Sequence, residues 1–187
     1  MIQISDVRRG TNLELDGTLY TVVEVHHVKT KKSAVYRTKL RDLRAGHITE
    51  RSFNAGEKVP DVRVERRSMQ YLYAEDNALV FMNTESYDQI PIARRLIEDS
   101  IPYLKEGGTA QVVMFGEEAL GIELPAAVEL KIVDVERGVK GDTATGATKP
   151  ATLETGLVVN VPLFVNQGDT IKVSTDTGTY IERVASR

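Results

Sequence analysis

Near its beginning the chain reads Asn12-Leu13-Glu14-Leu15-Asp16-Gly17-Thr18-Leu19-Tyr20-Thr21-Val22-Val23-Glu24-Val25-His26. Two apolar-rich runs flank the dipeptide Asp16-Gly17. Asp-Gly between alternating apolar runs is a strong hairpin signal, because both turn residues tolerate positive φ. We therefore predict two antiparallel strands here, joined by a two-residue turn.

The same pattern of short strands and turns continues to the end of the chain. Turns every 8–12 residues between short strands are typical of small β-barrels and not of a parallel α/β sheet. The one predicted helix covers residues 92–97, limited by Pro102, and residues 137–150 are predicted to form a long loop. Further strands are predicted at residues 35–40, 48–53, 69–74, 78–82, 88–90, 109–115, 119–123, 128–135, 157–162, 170–174 and 180–184.

Charge divides the chain into unlike thirds. Residues 1–63 carry 12 Lys/Arg and 8 Asp/Glu, residues 64–127 carry 5 and 11, and residues 128–187 carry 7 and 8, so the net charges are +4, −6 and −1. A basic first third on a chain of net charge −3 indicates that this end meets an anion. We predict three small domains over residues 1–64, 65–127 and 128–187.

Composition and motifs argue against an enzyme. The 187 residues include no cysteine, which excludes disulfides, thiolate metal sites and a thiol nucleophile. Adjacent His26 and His27 would point to opposite faces of a strand, and the Glu117-Glu118 pair is interpreted as a solvated hairpin tip. We see no signal peptide, no apolar run of membrane-spanning length and no motif that requires a cofactor, so we expect a cytoplasmic protein without a membrane partner.

Two loops carry the chemistry that remains. His27-Val28-Lys29-Thr30-Lys31-Lys32-Ser33-Ala34 places three lysines in four residues between two predicted strands. Exposed lysines suit contact with a phosphate backbone or enzymatic modification, although a charged loop that only aids solubility has the same composition. Residues 138–150 contain three glycines with Asp, Thr and Lys, which suits hydrogen bonding to exposed RNA bases but equally an ordinary surface loop.

The third domain contains a long and specific signature. It reads Lys149-Pro150-Ala151-Thr152-Leu153-Glu154-Thr155-Gly156-Leu157-Val158-Val159-Asn160-Val161-Pro162-Leu163-Phe164-Val165-Asn166-Gln167-Gly168. This stretch resembles the C-terminal signature of the bacterial translation elongation factor P family. Shorter likenesses run through the whole chain, among them residues 53–58, 70–73 and 128–143.

This resemblance implies an all-β fold of three small β-barrels in an L shape. The first would be an SH3-like barrel of the KOW type, and the other two would be OB-folds, with one short helical segment in the second barrel. The implied function is that of an elongation factor that binds the 70S ribosome between the P and E sites. It would position the P-site tRNA and stimulate peptide-bond formation at consecutive prolines, without bond chemistry of its own.

The resemblance also points to the hairpin-tip lysines. The family has a lysine within Pro-Gly-Lys-Gly there, often extended by a lysine-modifying enzyme. Here the tip reads Thr30-Lys31-Lys32-Ser33, without the proline and the glycines. The preferred alignment makes Lys32 the counterpart that contacts the tRNA acceptor end, and an earlier gap makes it Lys31.

Two further contacts are implied for the third barrel. The family's Gly-Asp-Thr motif matches Gly141, Asp142 and Thr143, which would contact the E-site codon of mRNA. Tyr180 and Arg183 match family positions near ribosomal RNA or tRNA, where tyrosine can stack and arginine can pair with phosphate. We expect a monomer. The alternatives are a factor-P-like paralogue and a nucleic-acid-binding barrel protein of another pathway.

Overall fold

The fold is described from a computed structural model, and the structure describes residues 1–137 and 147–184. It is built mostly of β-strands, as predicted. The chain divides into two compact units. Unit 1 consists of residues 1–66 and 113–121, and unit 2 consists of residues 67–112 and 122–187.

The N-terminal strands form an antiparallel sheet in the order β2-β3-β4-β5, with β1 and β6 paired separately. Their bounds are β1 Ile2–Gln3, β2 Asn12–Leu15, β3 Thr18–Lys29, β4 Ala34–Asp42, β5 Ile48–Asn54 and β6 Lys58–Val59. Asp16 (φ 52°) and Gly17 (φ 76°) form the predicted turn between β2 and β3. Alternate residues of these strands, such as Leu13, Val22 and Leu40, enclose one apolar core.

The central strands form a five-stranded sheet in the order β11-β10-β7-β8-β9. The elements are β7 Glu65–Ala74, β8 Ala78–Asn83, β9 Gln89–Ala93, α1 Arg94–Ile97, a 3₁₀ segment at Glu98–Tyr103, β10 Thr109–Phe115 and β11 Glu118–Glu123. The predicted helix at residues 92–97 is confirmed only from Arg94 onward. Ile92 instead pairs with Leu79 in the sheet and is buried there.

The C-terminal strands form a second five-stranded sheet in the order β14-β13-β12-β15-β16. Their bounds are β12 Ala127–Val135, β13 Thr148–Leu153, β14 Val158–Pro162, β15 Thr170–Ser174 and β16 Tyr180–Arg183. The prediction of a loop up to residue 150 was wrong at its end, because β13 begins at Thr148. Pro150 is tolerated in this strand because its pairing with β12 stops at Ala151, and its carbonyl accepts the Glu136 N–H at 3.2 Å.

The helices of the described residues are too short and too polar to cross a bilayer.

Candidate functional site

The lysine-rich tip lies at the end of the β3–β4 hairpin. The two strands pair continuously apart from one bulge, and the last pair of the ladder is Lys29 with Ala34. Four residues therefore remain for the turn, and both of its central residues, Lys31 and Lys32, are exposed. The structure thus places the two candidate lysines side by side at the extremity of a long hairpin.

Hydrogen bonds between Thr30 and Ser33 close this turn. The Thr30 N–H donates to the Ser33 carbonyl at 2.9 Å, and the Thr30 hydroxyl donates to the same carbonyl at 2.7 Å. The Ser33 N–H in turn donates to Thr30 Oγ1 at 3.1 Å. Threonine and serine hydroxyls can bond to nearby backbone groups in this way. A side-chain clamp therefore fixes the ends of the turn, at positions where the family resemblance implies proline and glycines.

An aromatic pair stiffens the hairpin just below the tip. His27 and Tyr36 lie directly opposite each other, and their rings stack with centroids 4.4 Å apart and planes 3° apart. Tyr36 also packs against the N-terminal core. Cross-strand aromatic pairs of this kind stabilise a sheet. The stack therefore connects the tip to the N-terminal barrel, that is, the strands β1–β6 around their common core.

The opposite face of the hairpin carries charge. Lys39 Nζ lies 2.9 Å and His26 Nε2 lies 3.4 Å from Glu24 Oε2, which lowers the pKa of Glu24, mainly through the hydrogen bond from Lys39. Arg37 is exposed on the same face, opposite His26. The Glu24 carboxylate, and Glu50 opposite Lys39 on β5, therefore partly compensate the positive charges of Lys39 and Arg37 on this face. As predicted, His26 and His27 occupy opposite faces of the strand.

The described residues do not include the predicted codon-contact motif. Gly141, Asp142 and Thr143 lie outside the described ranges, between β12 and β13. Their assignment stays a prediction.

Tyr180 and Arg183 lie on β16, at one edge of the C-terminal sheet. Tyr180 is half-buried against the C-terminal core. The Arg183 guanidinium lies 5.4 Å from the ring centroid of Phe164 and 3.7 Å from the Asp169 carboxylate. Phe164 is 58% exposed. Arg183 thus has a cation–π partner that sequence reasoning missed; the adjacent apolar pair Leu163-Phe164 in a turn was the available signal.

Two other charged residues, Arg94 and Glu118, have structural partners. Arg94 on α1 donates to the carbonyls of Asp76 and Glu75 at 3.3 and 3.2 Å, so it braces a neighbouring turn. Glu118 is not the simple solvated tip that we predicted, because both of its carboxylate oxygens accept hydrogen bonds from Arg44.

Comparison with protein families assigns nearly the whole chain. The "Elongation factor P (EF-P) KOW-like domain" matches residues 3–59, and the "Elongation factor P (EF-P) OB domain" matches residues 64–122. The family described as "Elongation factor P, C-terminal" matches residues 128–183. The KOW-like first domain and an OB-fold domain are thereby confirmed.

Full-length relatives agree with these matches. Elongation factor P of Pelotomaculum thermopropionicum is 50% identical over 185 residues, covering 98% of this chain and 100% of the relative. The same factor of Moorella thermoacetica is 52% identical over 184 residues, with 98% and 100% coverage.

Among solved structures, the fold resembles eukaryotic translation initiation factor 5A from Methanococcus jannaschii. The TM-score is 0.55 at 20% identity, over 66% of this chain and 91% of that one. Three domain matches in sequence order and relatives that are half identical from end to end lead to one conclusion: the chain belongs to the elongation factor P family of translation factors.

Proposed function

We propose that this chain is a cytoplasmic elongation factor that binds the 70S ribosome between the P and E sites and positions the P-site tRNA. It thereby stimulates peptide-bond formation where consecutive prolines stall synthesis. Family membership supports the general role of a translation factor. The observation that carries the specific proposal is the clamped tip, in which Lys31 and Lys32 stand exposed at the end of a stiff hairpin.

In this proposal, Lys32 contacts the acceptor end of the P-site tRNA and Lys31 adds a second cation. A lysine is a compact positive charge on a long stem, which suits contact with phosphate. The factor breaks and forms no bond. It restrains the reacting end of the tRNA and so lowers the entropic part of the activation barrier to peptide-bond formation on the ribosome. No cofactor is needed for such a role.

The remaining contacts are proposed for the third domain. Gly141, Asp142 and Thr143 would hydrogen-bond the E-site codon of mRNA, as short polar groups can do with unstacked bases. Arg183 and Tyr180 would contact ribosomal RNA or tRNA. The position of Arg183 over an exposed Phe164 ring supports an RNA contact, because guanidinium and aromatic groups together suit stacking on bases.

A modification of the tip lysine is compatible with its exposure, since a modifying enzyme needs an accessible amine. Both Lys31 and Lys32 meet that condition. Intact-mass and peptide mass spectrometry of protein from its native source, over residues 29–37, identifies the modified residue and the added mass. An unmodified peptide would mean that the paired lysines act as they are.

Binding to ribosomes tests the proposal against the two alternatives. We expect the chain to bind 70S ribosomes that carry a P-site tRNA much more tightly than a free RNA hairpin. Affinity should fall as salt rises, because phosphate contacts release counterions. A net charge of −3 disfavours general RNA binding. Equal affinity for an arbitrary hairpin would favour a general nucleic-acid-binding protein, and ribosome binding without relief of proline stalling would favour a factor-P-like paralogue.

A further inference from the structure

A two-pronged ion pair joins residues 74 positions apart in the chain. Arg44 Nε donates to Glu118 Oε1 at 2.8 Å, and Arg44 Nη2 donates to Glu118 Oε2 at 2.9 Å. Arg44 lies in the turn between β4 and β5, and Glu118 begins β11. The parallel hydrogen bonds fix both distance and orientation, which a single contact does not. This pair therefore holds the β10–β11 hairpin on the N-terminal barrel.

The backbone that presents Arg44 is itself held in place. Buried Asp42 accepts hydrogen bonds from the N–H groups of Arg44 at 2.7 Å and Ala45 at 2.8 Å. The Gly46 N–H donates to the Asp42 carbonyl at 2.9 Å, and its φ of 79° closes the turn. Arg44 thus extends from a fixed turn, and only its side chain has to be ordered by Glu118.

The tip of the β10–β11 hairpin also belongs to the same compact unit as the N-terminal strands. Residues 113–121 form one compact unit with residues 1–66, apart from the rest of the central sheet. The hairpin remains covalently continuous with β10 and β11, whose other residues fall in unit 2. The pair therefore lies within unit 1, between the β4–β5 turn and the tip of the β10–β11 hairpin.

The pair is poorly placed to add much stability. The side chains of Arg44 and Glu118 are 41% and 47% exposed, and exposed pairs contribute little to the free energy of folding. Their hydrogen bonds nevertheless raise the pKa of Arg44 and lower the pKa of Glu118, so both groups stay charged at neutral pH. The pair is thus ordered and charged, but it contributes little to the free energy of folding. Such a pair is better suited to fix the orientation of the β10–β11 hairpin than to stabilise the fold.

Orientation matters here because the lysine tip is far from this turn. Between Asp42 and Ala34 the β3–β4 ladder extends over eight residue steps, or about 27 Å at the usual strand rise. Over a lever of that length, a rotation of about 2° at the base displaces the tip by about 1 Å. A misplacement of about 1 Å can slow a reaction that depends on positioning by about 100-fold.

We propose that Arg44 and Glu118 are positioning residues, which hold the β10–β11 hairpin on the N-terminal barrel and so aim the lysine tip. This inference rests on the proposed function, in which the tip acts by placing the tRNA end. The two side chains touch neither tRNA nor the reacting groups. They act through the barrel, because they narrow the range of angles that the β3–β4 hairpin can take relative to the β10–β11 hairpin.

Charge reversal gives the test its controls. Arg44→Glu and Glu118→Arg each place like charges together, and the double variant Arg44→Glu/Glu118→Arg restores an opposite pair. Arg44→Lys keeps the charge but loses the two-pronged geometry. We expect each single reversal to slow triple-proline synthesis by about 3-fold to 100-fold at saturating factor, the upper value being that of a 1 Å misplacement. The double variant should recover most of the rate. The rate with Arg44→Lys should lie between that of wild type and those of the single reversals.

A distance measurement separates aiming from folding. Because the chain lacks cysteine, Arg37→Cys and Gln111→Cys introduce a unique pair of spin labels on exposed strand positions. The distance distribution between these labels should broaden in each single reversal and narrow again in the double variant. Melting temperatures should shift by no more than about 4 °C, because an exposed pair contributes at most about 1 kcal/mol.

The outcomes are distinct for this inference and for the proposed function. Unchanged distance distributions in both single reversals, or a double variant that recovers neither distances nor rate, would overturn the positioning role. A large drop in melting temperature with no broadening would make the pair structural and would also overturn it. If the wild-type chain fails to accelerate triple-proline synthesis, the proposed function is wrong, and the distance measurements still decide whether the pair holds the hairpin.

Discussion

Thr30 and Ser33 close the lysine-bearing turn through four hydrogen bonds, three of which use the Thr30 hydroxyl. The same hydroxyl donates to the Ser33 carbonyl and accepts from the Ser33 N–H. A single oxygen atom therefore couples the order of the turn to the placement of Lys31 and Lys32.

Replacement of Thr30 by valine tests this coupling. Thr30→Val keeps the shape of the side chain but removes the hydroxyl, and each hydrogen bond contributes about 1 kcal/mol. We expect faster hydrogen exchange of the Ser33 amide and slower triple-proline synthesis, with ribosome affinity little changed. Thr30→Ser is the matched control and should behave as wild type. An undisturbed Ser33 amide in Thr30→Val would show that the hydroxyl does not order the turn.

Asp42 should give the first domain a pH-dependent stability. Burial alone would raise the pKa of Asp42, but the N–H groups of Ala45 and Arg44 and the nearby positive groups outweigh it and lower the pKa. A group whose pKa is lower in the folded chain stabilises it fully above its unfolded pKa, near 3.9, and loses that contribution as pH falls through the folded value.

Urea unfolding from pH 7 to pH 3 measures this effect. The difference in free energy of unfolding between wild type and Asp42→Asn should shrink as the pH falls below about 4. Asp42→Ala, which leaves both N–H groups without the carboxylate, should be less stable than wild type by about 1–3 kcal/mol at pH 7. A difference between wild type and Asp42→Asn that does not vary with pH would contradict a lowered pKa.

Gly178 occupies a position that excludes other residues. Its φ is 69°, and a Cβ atom there would lie 2.8 Å from Tyr103 Oη. We expect Gly178→Ala to destabilise the chain by about 1–2 kcal/mol from backbone strain alone, and further through the contact with Tyr103. Adding Tyr103→Phe should relieve only the steric part. Equal melting temperatures for Gly178→Ala and wild type would refute this prediction.

Asp142 is proposed to contact RNA and not to support the fold. Asp142→Ala should therefore leave the melting temperature unchanged and weaken ribosome binding by about fivefold, which corresponds to the roughly 1 kcal/mol of one hydrogen bond. Thr145→Ala, close in the sequence but outside the Gly-Asp-Thr motif, is the control and should bind as wild type. A marked loss of thermal stability in Asp142→Ala would make this residue structural.

Local sequence predicted the parts of the fold that depend on local chemistry. The Asp16-Gly17 turn has the positive φ values that its residues favour, and β10 begins and ends where its apolar pattern does. The errors occur where pairing overrides local preference. The sequence pattern around Ile92 favours a helix, but Ile92 pairs with Leu79 in a sheet. Proline disfavours a strand, but Pro150 fits in β13 because the pairing of β13 with β12 ends at Ala151.

The candidate site divides in the same way. The exposed lysines of the tip could be predicted, because three lysines between two strands have no place in a core. The clamp between Thr30 and Ser33 and the pair between Arg44 and Glu118 could not. The clamp depends on which residues form the last pair of the β3–β4 hairpin, because that pair decides the length of the turn. The Arg44–Glu118 pair joins residues that are far apart in the sequence and meet only in the folded chain.

The rate of triple-proline synthesis with tip variants tests the central claim most directly. Ribosomes translating a triple-proline template are supplied with wild type, Lys32→Ala or Lys31→Ala at saturating concentration. We predict that Lys32→Ala abolishes most of the acceleration while ribosome affinity falls only modestly, because positioning acts on the barrier more than on binding. Lys31→Ala should do less, and the reverse order would assign the role to Lys31. Full acceleration by both variants would contradict a function carried by the lysine tip.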